Sequence, residues 1–154
     1  MAIEHKNTKI IIEKGTILDK VLRVILTLMG IVALLGSVGF MLDPAGMEAD
    51  FAVVASRTDG LGTLRGDLGG MFLTAAIFIL YGSRPGKSAW LIVPTVLLFA
   101  VLFGRGIHIV LDGLTQPAIR STLIEIVSIV ILEFARRRLP ALEKEANACK
   151  ILMQ

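Results

Sequence analysis

The chain has 154 residues, of which 55% are hydrophobic and 19% are charged, and this composition is more apolar than that of a typical soluble domain. A soluble protein would have to bury its helices on every face, and a chain of this size has too little polar surface to cover such a core. The net charge of +3 does not indicate nucleic-acid binding, because the basic residues lie at the ends of apolar segments and are not interleaved with aromatic residues on one face.

The N-terminal segment, residues 1–15, is polar except for an apolar patch at residues 10–12, which either lies at the membrane interface or pairs as a strand. Thr16 and Asp19 resemble a capping box and predict a helix start. The first predicted span covers residues 21–42, long enough to cross a hydrocarbon core of about 30 Å. About twenty mixed residues precede this span, so it is expected to be an uncleaved anchor and not a removable signal.

Three further spans are predicted after Asp43 and Pro44 end the first. They cover residues 64–81, 90–111 and 117–135, with Trp90 as an interfacial anchor and Pro117 at a first helical position. Pro140 is expected to end the last helix. The domain organisation is therefore a transmembrane domain over residues 16–139, followed by a separate cytoplasmic tail over residues 140–154.

Positive charges near the span ends predict the orientation. Lysine and arginine cluster before the first span, in the turn at residues 82–87 and at residues 136–138, whereas the other two loops are acidic or nearly neutral. The positive-inside rule then places both termini in the cytoplasm. The expected fold class is all-α, an up-down-up-down bundle of four transmembrane helices in the bacterial inner membrane.

Six ionisable residues are expected at the outer ends of the spans. Charges at membrane depth cost about 2.5–3.5 kcal/mol each, so they tend to face the bundle interior and pair. Spacing of three and seven residues puts the three members from the third span on one face. The predicted cluster, a polar pocket that binds a ligand or partner, comprises Arg65, Asp67, Arg105, His108, Asp112 and Glu125.

A structural interpretation explains the same six residues about as well. An ion-pair network that only fixes helix register needs no ligand, and His108 by itself is more typical of a hydrogen-bonded interior histidine than of a metal or haem ligand. Glu133 lies three and four residues before Arg136 and Arg137, and this spacing predicts a local helix pair.

Small residues recur every fourth position at the start of the second span. The pattern comprises Gly62, Gly66, Gly70 and then Thr74. Small residues at this spacing allow two membrane helices to approach closely. We expect these glycines to pack against a neighbouring helix within the bundle.

Motifs for catalysis are missing from the sequence. Cys149 is the only cysteine, so there is no intrachain disulfide, haem attachment motif or zinc cluster. There are no facing histidine pairs, no histidine boxes and no phosphate-binding glycine loop. No catalytic residue and no metal site are predicted, and the only cofactor expected is a bound lipid or quinone.

The order of features resembles a family of small bacterial four-helix membrane proteins of DoxX-like design. The resemblance covers residues 18–138 and rests on Pro44, the run Leu64-Arg65-Gly66-Asp67-Leu68-Gly69-Gly70, Arg105, the pair Asp112-Gly113 and an acidic residue in span four. It implies a bundle that serves as a scaffold, or as a membrane subunit associated with quinone-linked oxidation.

Three functions remain open from the sequence. The first is an accessory subunit or scaffold whose outward-facing pocket holds a lipid, a quinone or a partner. The second is a membrane subunit of a quinone-linked oxidoreductase in which His108 and a carboxylate handle protons. The third is a small proton-coupled carrier that uses Glu125 and Asp112 and has to oligomerise. The expected partners are membrane lipids and a larger membrane complex or further copies of the chain, without nucleic acid.

Overall fold

The structure, a computed structural model, describes the backbone of residues 2–47, 51 and 53–152, and the side-chain surroundings of residues 15, 17–47, 51, 53–145 and 148. This part of the chain is all-helical and contains no strand. Its four long helices are α1 (Ala2–Leu42), α2 (Thr58–Gly82), α3 (Ser88–Asp112) and α4 (Gln116–Leu152). The helix count agrees with the predicted four-helix bundle.

Two helices contain local departures from α geometry. Within α2, Leu64–Gly69 forms a π-helical segment, and the first turn of α3, Ser88–Leu91, is a 3₁₀ turn. In a π-helical segment the backbone hydrogen bonds span five residues and not four, so the helical turn is wider. The buried hydroxyl of Ser37 on α1 donates to the carbonyl of Gly69 at 2.9 Å, so α1 supplies a polar partner where this segment ends.

Both terminal helices are longer than the sequence predicted. Helix α1 begins at Ala2, so the prediction of a helix start at Thr16 is wrong, as is the strand alternative for residues 10–12. Helix α4 continues through Pro140 to Leu152, so the predicted helix end at Pro140 is also wrong. A proline inside a helix removes one hydrogen bond at a cost of about 3 kcal/mol, and Leu139 and Leu142 on either side of Pro140 are buried in the core.

The common core lies toward the end of the bundle where α2 meets α3. It joins α1, α2, the start of α3 and the second half of α4. Its buried members are Leu22, Leu26, Ala33, Ala75, Ala76, Ile79, Leu91, Leu132, Ala135, Leu139 and Leu142. No described residue of α3 beyond Leu98, or of α4 before Leu132, belongs to this core. The first half of α4 and the second half of α3 therefore form a pair outside it.

Most of the helical surface is apolar and exposed. Val32, Val110 and Leu111 are 68%, 82% and 75% exposed, and such continuous apolar surface marks contact with lipid or with partners. Among the described residues, three helices are long and apolar enough to cross a membrane: Ile17–Leu42, Thr58–Gly82 and Ser88–Asp112. Helix α4 is not among them, and its predicted span carries three charged residues: Arg120, Glu125 and Glu133.

Within the described part of the chain, the predicted glycine stripe is not a packing surface. A Cβ added at Gly62, Gly66 or Gly70 would meet no described atom within 4 Å. Close approaches occur at other glycines instead. A Cβ at Gly30 would lie 2.6 Å from Leu80 Cγ. The neighbouring helix α1 therefore packs against a different side of α2.

Candidate functional site

A buried ion pair joins α3 and α4 outside the common core. The Arg105 Nε donates to Glu125 Oε1 at 2.6 Å. Glu125 is 8% exposed, whereas about a third of the Arg105 side chain is exposed. The carboxylate is therefore shielded from solvent, whereas the Arg105 side chain is partly exposed. Arg105 and Glu125 are thus two members of the predicted polar cluster that are in contact.

Two buried polar atoms beside this pair have no partner. Glu125 Oε2 and Thr122 Oγ1 are both buried, and neither has a hydrogen-bond partner among the described residues. The two residues are three positions apart on α4, so their side chains lie on one face. A buried polar atom without a partner costs about 1–3 kcal/mol. An acceptor oxygen and a hydroxyl on one face of α4 therefore each lack a hydrogen bond within the described part of the chain.

His108 and Asp112 form a second pair, one turn further along α3. His108 Nδ1 lies 2.8 Å from Asp112 Oδ2. The two side chains are 46% and 65% exposed, so solvent competes with the contact and the pair adds little to stability. His108 stands three residues after Arg105, on the same face of α3. Arg105, which forms the ion pair with Glu125, and the exposed His108–Asp112 pair therefore follow one another along α3.

Arg65 and Asp67 hold different positions in the structure. The Arg65 Nε donates to the carbonyl of Met41 at 3.1 Å, and this carbonyl is one of the last four of α1, which lack intrahelical partners. Asp67 is exposed. No hydrogen bond or ion pair in the described part of the chain joins either residue to Arg105 or Glu125. The predicted six-residue cluster is thus divided, and Arg65 caps α1.

Arg23 is a polar junction that sequence reasoning missed. Its guanidinium bonds both oxygens of Asp19 at 2.9 Å, the carbonyl of Ser83 at 2.6 Å and Glu143 Oε1 at 2.6 Å. Glu143 also accepts from the backbone N–H of Gly86 at 2.9 Å. This junction ties together α1, the α2–α3 turn and the last part of α4. The spacing of Asp19 and Arg23 indicates their contact, but no local signal indicates Glu143.

Glu133 forms the predicted local pairs. It accepts from Arg136 Nε at 2.7 Å and from Arg137 Nε at 2.5 Å, which confirms the helix-pair interpretation. The hydrogen bond that Arg136 donates to this carboxylate raises the pKa of the Arg136 guanidinium above its ordinary value. This acid is satisfied by its own helix and is not part of the candidate site.

No group of three or more His, Cys, Asp or Glu side chains among the described residues is placed to hold a metal ion. Comparison with protein-family models, curated proteins and solved structures gives no match. The resemblance to DoxX-like proteins therefore stays a prediction. The candidate site is defined by its geometry alone: Arg105, Thr122 and Glu125 on the α3–α4 pair, with His108 and Asp112 beside them.

The chemistry available at this site is recognition by charge and hydrogen bonding. The guanidinium of Arg105 uses only its Nε toward Glu125 and keeps further donors for an anionic or carbonyl oxygen. Glu125 Oε2 accepts, and Thr122 Oγ1 either donates or accepts. A headgroup with a hydroxyl or amine next to an oxyanion or carbonyl would complement all three side chains.

Proposed function

We propose that this chain is a small integral membrane protein that binds the polar headgroup of a membrane amphiphile, a lipid or a quinol, between α3 and α4. In this role it serves as an accessory subunit or scaffold in the inner membrane, with both termini in the cytoplasm. The observation that carries the proposal is the buried Glu125 carboxylate: one oxygen accepts from Arg105, and the other has no partner among the described residues.

The surroundings of the site favour an amphiphile over a water-soluble ligand. Glu125 lies nine residues from the start of α4, about 14 Å along a helix, which is well inside a bilayer if α4 spans it. Val110, Leu111 and Ile124 nearby along the two helices are 82%, 75% and 58% exposed. A headgroup between the helices can therefore remain attached to tails that lie against these apolar side chains.

The test is the set of molecules that purifies with the protein. Wild-type protein, Thr122→Val and Glu125→Gln are to be extracted from native membranes in a mild detergent, and the lipids and quinones retained per protein measured by mass spectrometry. We expect one molecular species to be retained by the wild type and to fall at least about tenfold in both variants, because each loses a hydrogen bond to the headgroup worth about 1.5 kcal/mol.

Ser121→Ala is the matched control. This neighbouring hydroxyl already bonds the carbonyls of Pro117 and Ala118 within its own helix, so its loss should leave the retained species unchanged. Circular dichroism and size-exclusion profiles establish that each variant is folded. If folded Thr122→Val and Glu125→Gln retain the same species in the same amounts as wild type, the proposal is wrong.

A second function, a subunit of a quinone-linked oxidoreductase, is favoured by one observation. His108 and Asp112 form a hydrogen-bonded pair on the same face of α3 as Arg105, and such a pair can take up or release the proton of a quinol. Membranes that lack the chain would then lose a quinone-reducing activity, and His108→Gln would fail to restore it. An unchanged rate in membranes lacking the chain would exclude this function.

A further inference from the structure

Aromatic and basic side chains meet where α2 ends and α3 begins, at the opposite end of α3 from the candidate site. Trp90 stacks on Phe78 with 5.6 Å between ring centroids and meets Tyr81 edge to face at 5.9 Å. The Arg84 guanidinium lies 5.9 Å, and the Lys87 ammonium 5.7 Å, from the centre of the Tyr81 ring. We call these five residues the aromatic corner.

The two cations of the aromatic corner have no anionic partner. Arg84 and Lys87 are exposed, and neither forms an ion pair within the described part of the chain. The carboxylate that reaches this turn belongs to Glu143, and it is already bonded to Arg23 and to the Gly86 N–H. Cation–π contact with Tyr81 is weak at an exposed site and leaves the positive charge available to an anion.

The aromatic rings offer a surface that suits lipid. Trp90 is 47% exposed, and no acceptor for its indole N–H is found among the described residues. Tryptophan and tyrosine favour the membrane–water interface because one part of the side chain is apolar and the other polar. The corner lies at the ends of two helices that are able to cross a membrane, so its rings and cations fall at the depth of lipid headgroups.

From this geometry we infer that the aromatic corner is a binding site for an anionic phospholipid. The headgroup phosphate lies between Arg84 and Lys87, the Trp90 N–H donates to a phosphate or ester oxygen, and an acyl chain lies along Phe78 and Trp90. A phosphodiester oxygen accepts several charge-assisted hydrogen bonds at once. Each basic residue near an anionic surface contributes about 1 kcal/mol. This site is separate from the site between α3 and α4 and does not depend on it.

Fluorescence of Trp90 tests the inference directly, because Trp90 is the only tryptophan of the chain. The full chain is reconstituted in phosphatidylcholine vesicles at an ionic strength of about 0.15 M, where electrostatic attraction is short-ranged. A fixed fraction of the lipid is then replaced by brominated phosphatidylglycerol or by brominated phosphatidylcholine. We expect stronger quenching by the brominated phosphatidylglycerol, which reports a higher association constant at the corner.

The double variant Arg84→Gln/Lys87→Gln should remove this preference. About fivefold is expected to be lost for each cation, so the association constants of the two lipids should become nearly equal. The control is Arg138→Gln/Lys144→Gln, which removes two exposed cations from α4 and changes the net charge equally. This control should keep the preference. An equal loss in both double variants would show attraction by overall charge and would overturn the site.

Free inorganic phosphate is the other anion that would bind Arg84 and Lys87 through the same interactions. Millimolar inorganic phosphate at constant ionic strength should leave the phosphatidylglycerol preference unchanged. If it abolishes the preference, the corner takes up a soluble anion and the lipid assignment is wrong. Equal quenching of wild-type Trp90 by the two brominated lipids would also overturn the inference, provided that circular dichroism shows the reconstituted chain to be helical.

Discussion

At the scale of single residues, the Arg105–Glu125 pair stands out because a charged group is buried where apolar side chains surround the helices. Burying the Glu125 carboxylate costs several kcal/mol, and its attraction to the partly exposed Arg105 returns this only if the remaining hydrogen-bonding atoms are satisfied. Glu125 Oε2 is not satisfied within the described part of the chain. The pair alone is therefore a poor means of holding α3 against α4, and this supports a role in binding.

Removing one partner of this pair should cost more than removing both. Arg105→Leu leaves the Glu125 carboxylate buried without a counter-charge, and we expect a loss of about 2 kcal/mol in the free energy of unfolding. Arg105→Leu/Glu125→Leu should recover most of it. Unfolding by a denaturing detergent, followed by circular dichroism, measures both.

His108→Gln is the control for that comparison. Its pair with Asp112 is exposed, and exposed ion pairs contribute between 0 and about 1 kcal/mol, so stability should barely change. A double variant that is less stable than Arg105→Leu would show that Glu125 stabilises the fold through contacts other than this ion pair.

Single residues also show where sequence reasoning reaches its limit. The spacing of Arg105, His108 and Asp112 placed them on one face of a helix, because helical periodicity is a local property. That Glu125 would meet Arg105, while Arg65 would instead bond the Met41 carbonyl, depends on how the helices are arranged. The presence of six ionisable residues near one end of the spans does not indicate which of them form ion pairs.

At the scale of helices, each of the four predicted apolar runs falls within a long helix, but the predicted ends of the outer helices are wrong. Hydropathy locates the part of a helix that lipid can cover, but α1 and α4 extend beyond it. Pro140 does not end α4 because Leu139 and Leu142 are buried and Glu143 bonds to Arg23. These tertiary contacts outweigh the local preference.

The close contact between α2 and α3 at Gly82 gives a test of helix packing. A Cβ at Gly82 would lie 2.5 Å from Leu91 Cδ2 and 3.3 Å from the Leu91 backbone nitrogen, so Gly82→Ala forces the two helices apart. We expect a loss of about 1–3 kcal/mol, measured by thermal unfolding in detergent.

Gly70→Ala is the matched substitution in the same helix. It adds a methyl group in open space, and alanine favours a helix by up to about 1 kcal/mol over glycine. Stability should therefore stay the same or rise. A clear loss of stability for Gly70→Ala would mean that the face formed by Gly62, Gly66 and Gly70 packs against another molecule.

At the scale of the whole molecule, α1 near Gly15 and α4 near Leu142 lie against each other. A Cβ at Gly15 would lie 3.6 Å from Leu142, and Arg23 joins Glu143 to the turn between α2 and α3. At about 1.5 Å per residue, the 41 residues of α1 and the 37 residues of α4 are roughly 60 and 55 Å long, well beyond a core of about 30 Å. If α1, α2 and α3 cross the membrane and α4 returns beside them, then α4 crosses the membrane as well.

The single cysteine allows this topology to be measured in the natural sequence. Four crossings with both termini in the cytoplasm predict that Cys149 in intact cells is protected from a membrane-impermeant maleimide and reacts once the membrane is permeabilised. The opposite side is probed by Cys149→Ser/Ser56→Cys, which moves the thiol to the exposed loop between α1 and α2, where labelling should occur in intact cells. Labelling of Cys149 in intact cells together with protection of the Ser56→Cys thiol would reverse the orientation. Labelling of both thiols in intact cells would mean that an odd number of helices crosses, and α4 would then lie outside the hydrocarbon core with its buried Glu125 no longer at membrane depth.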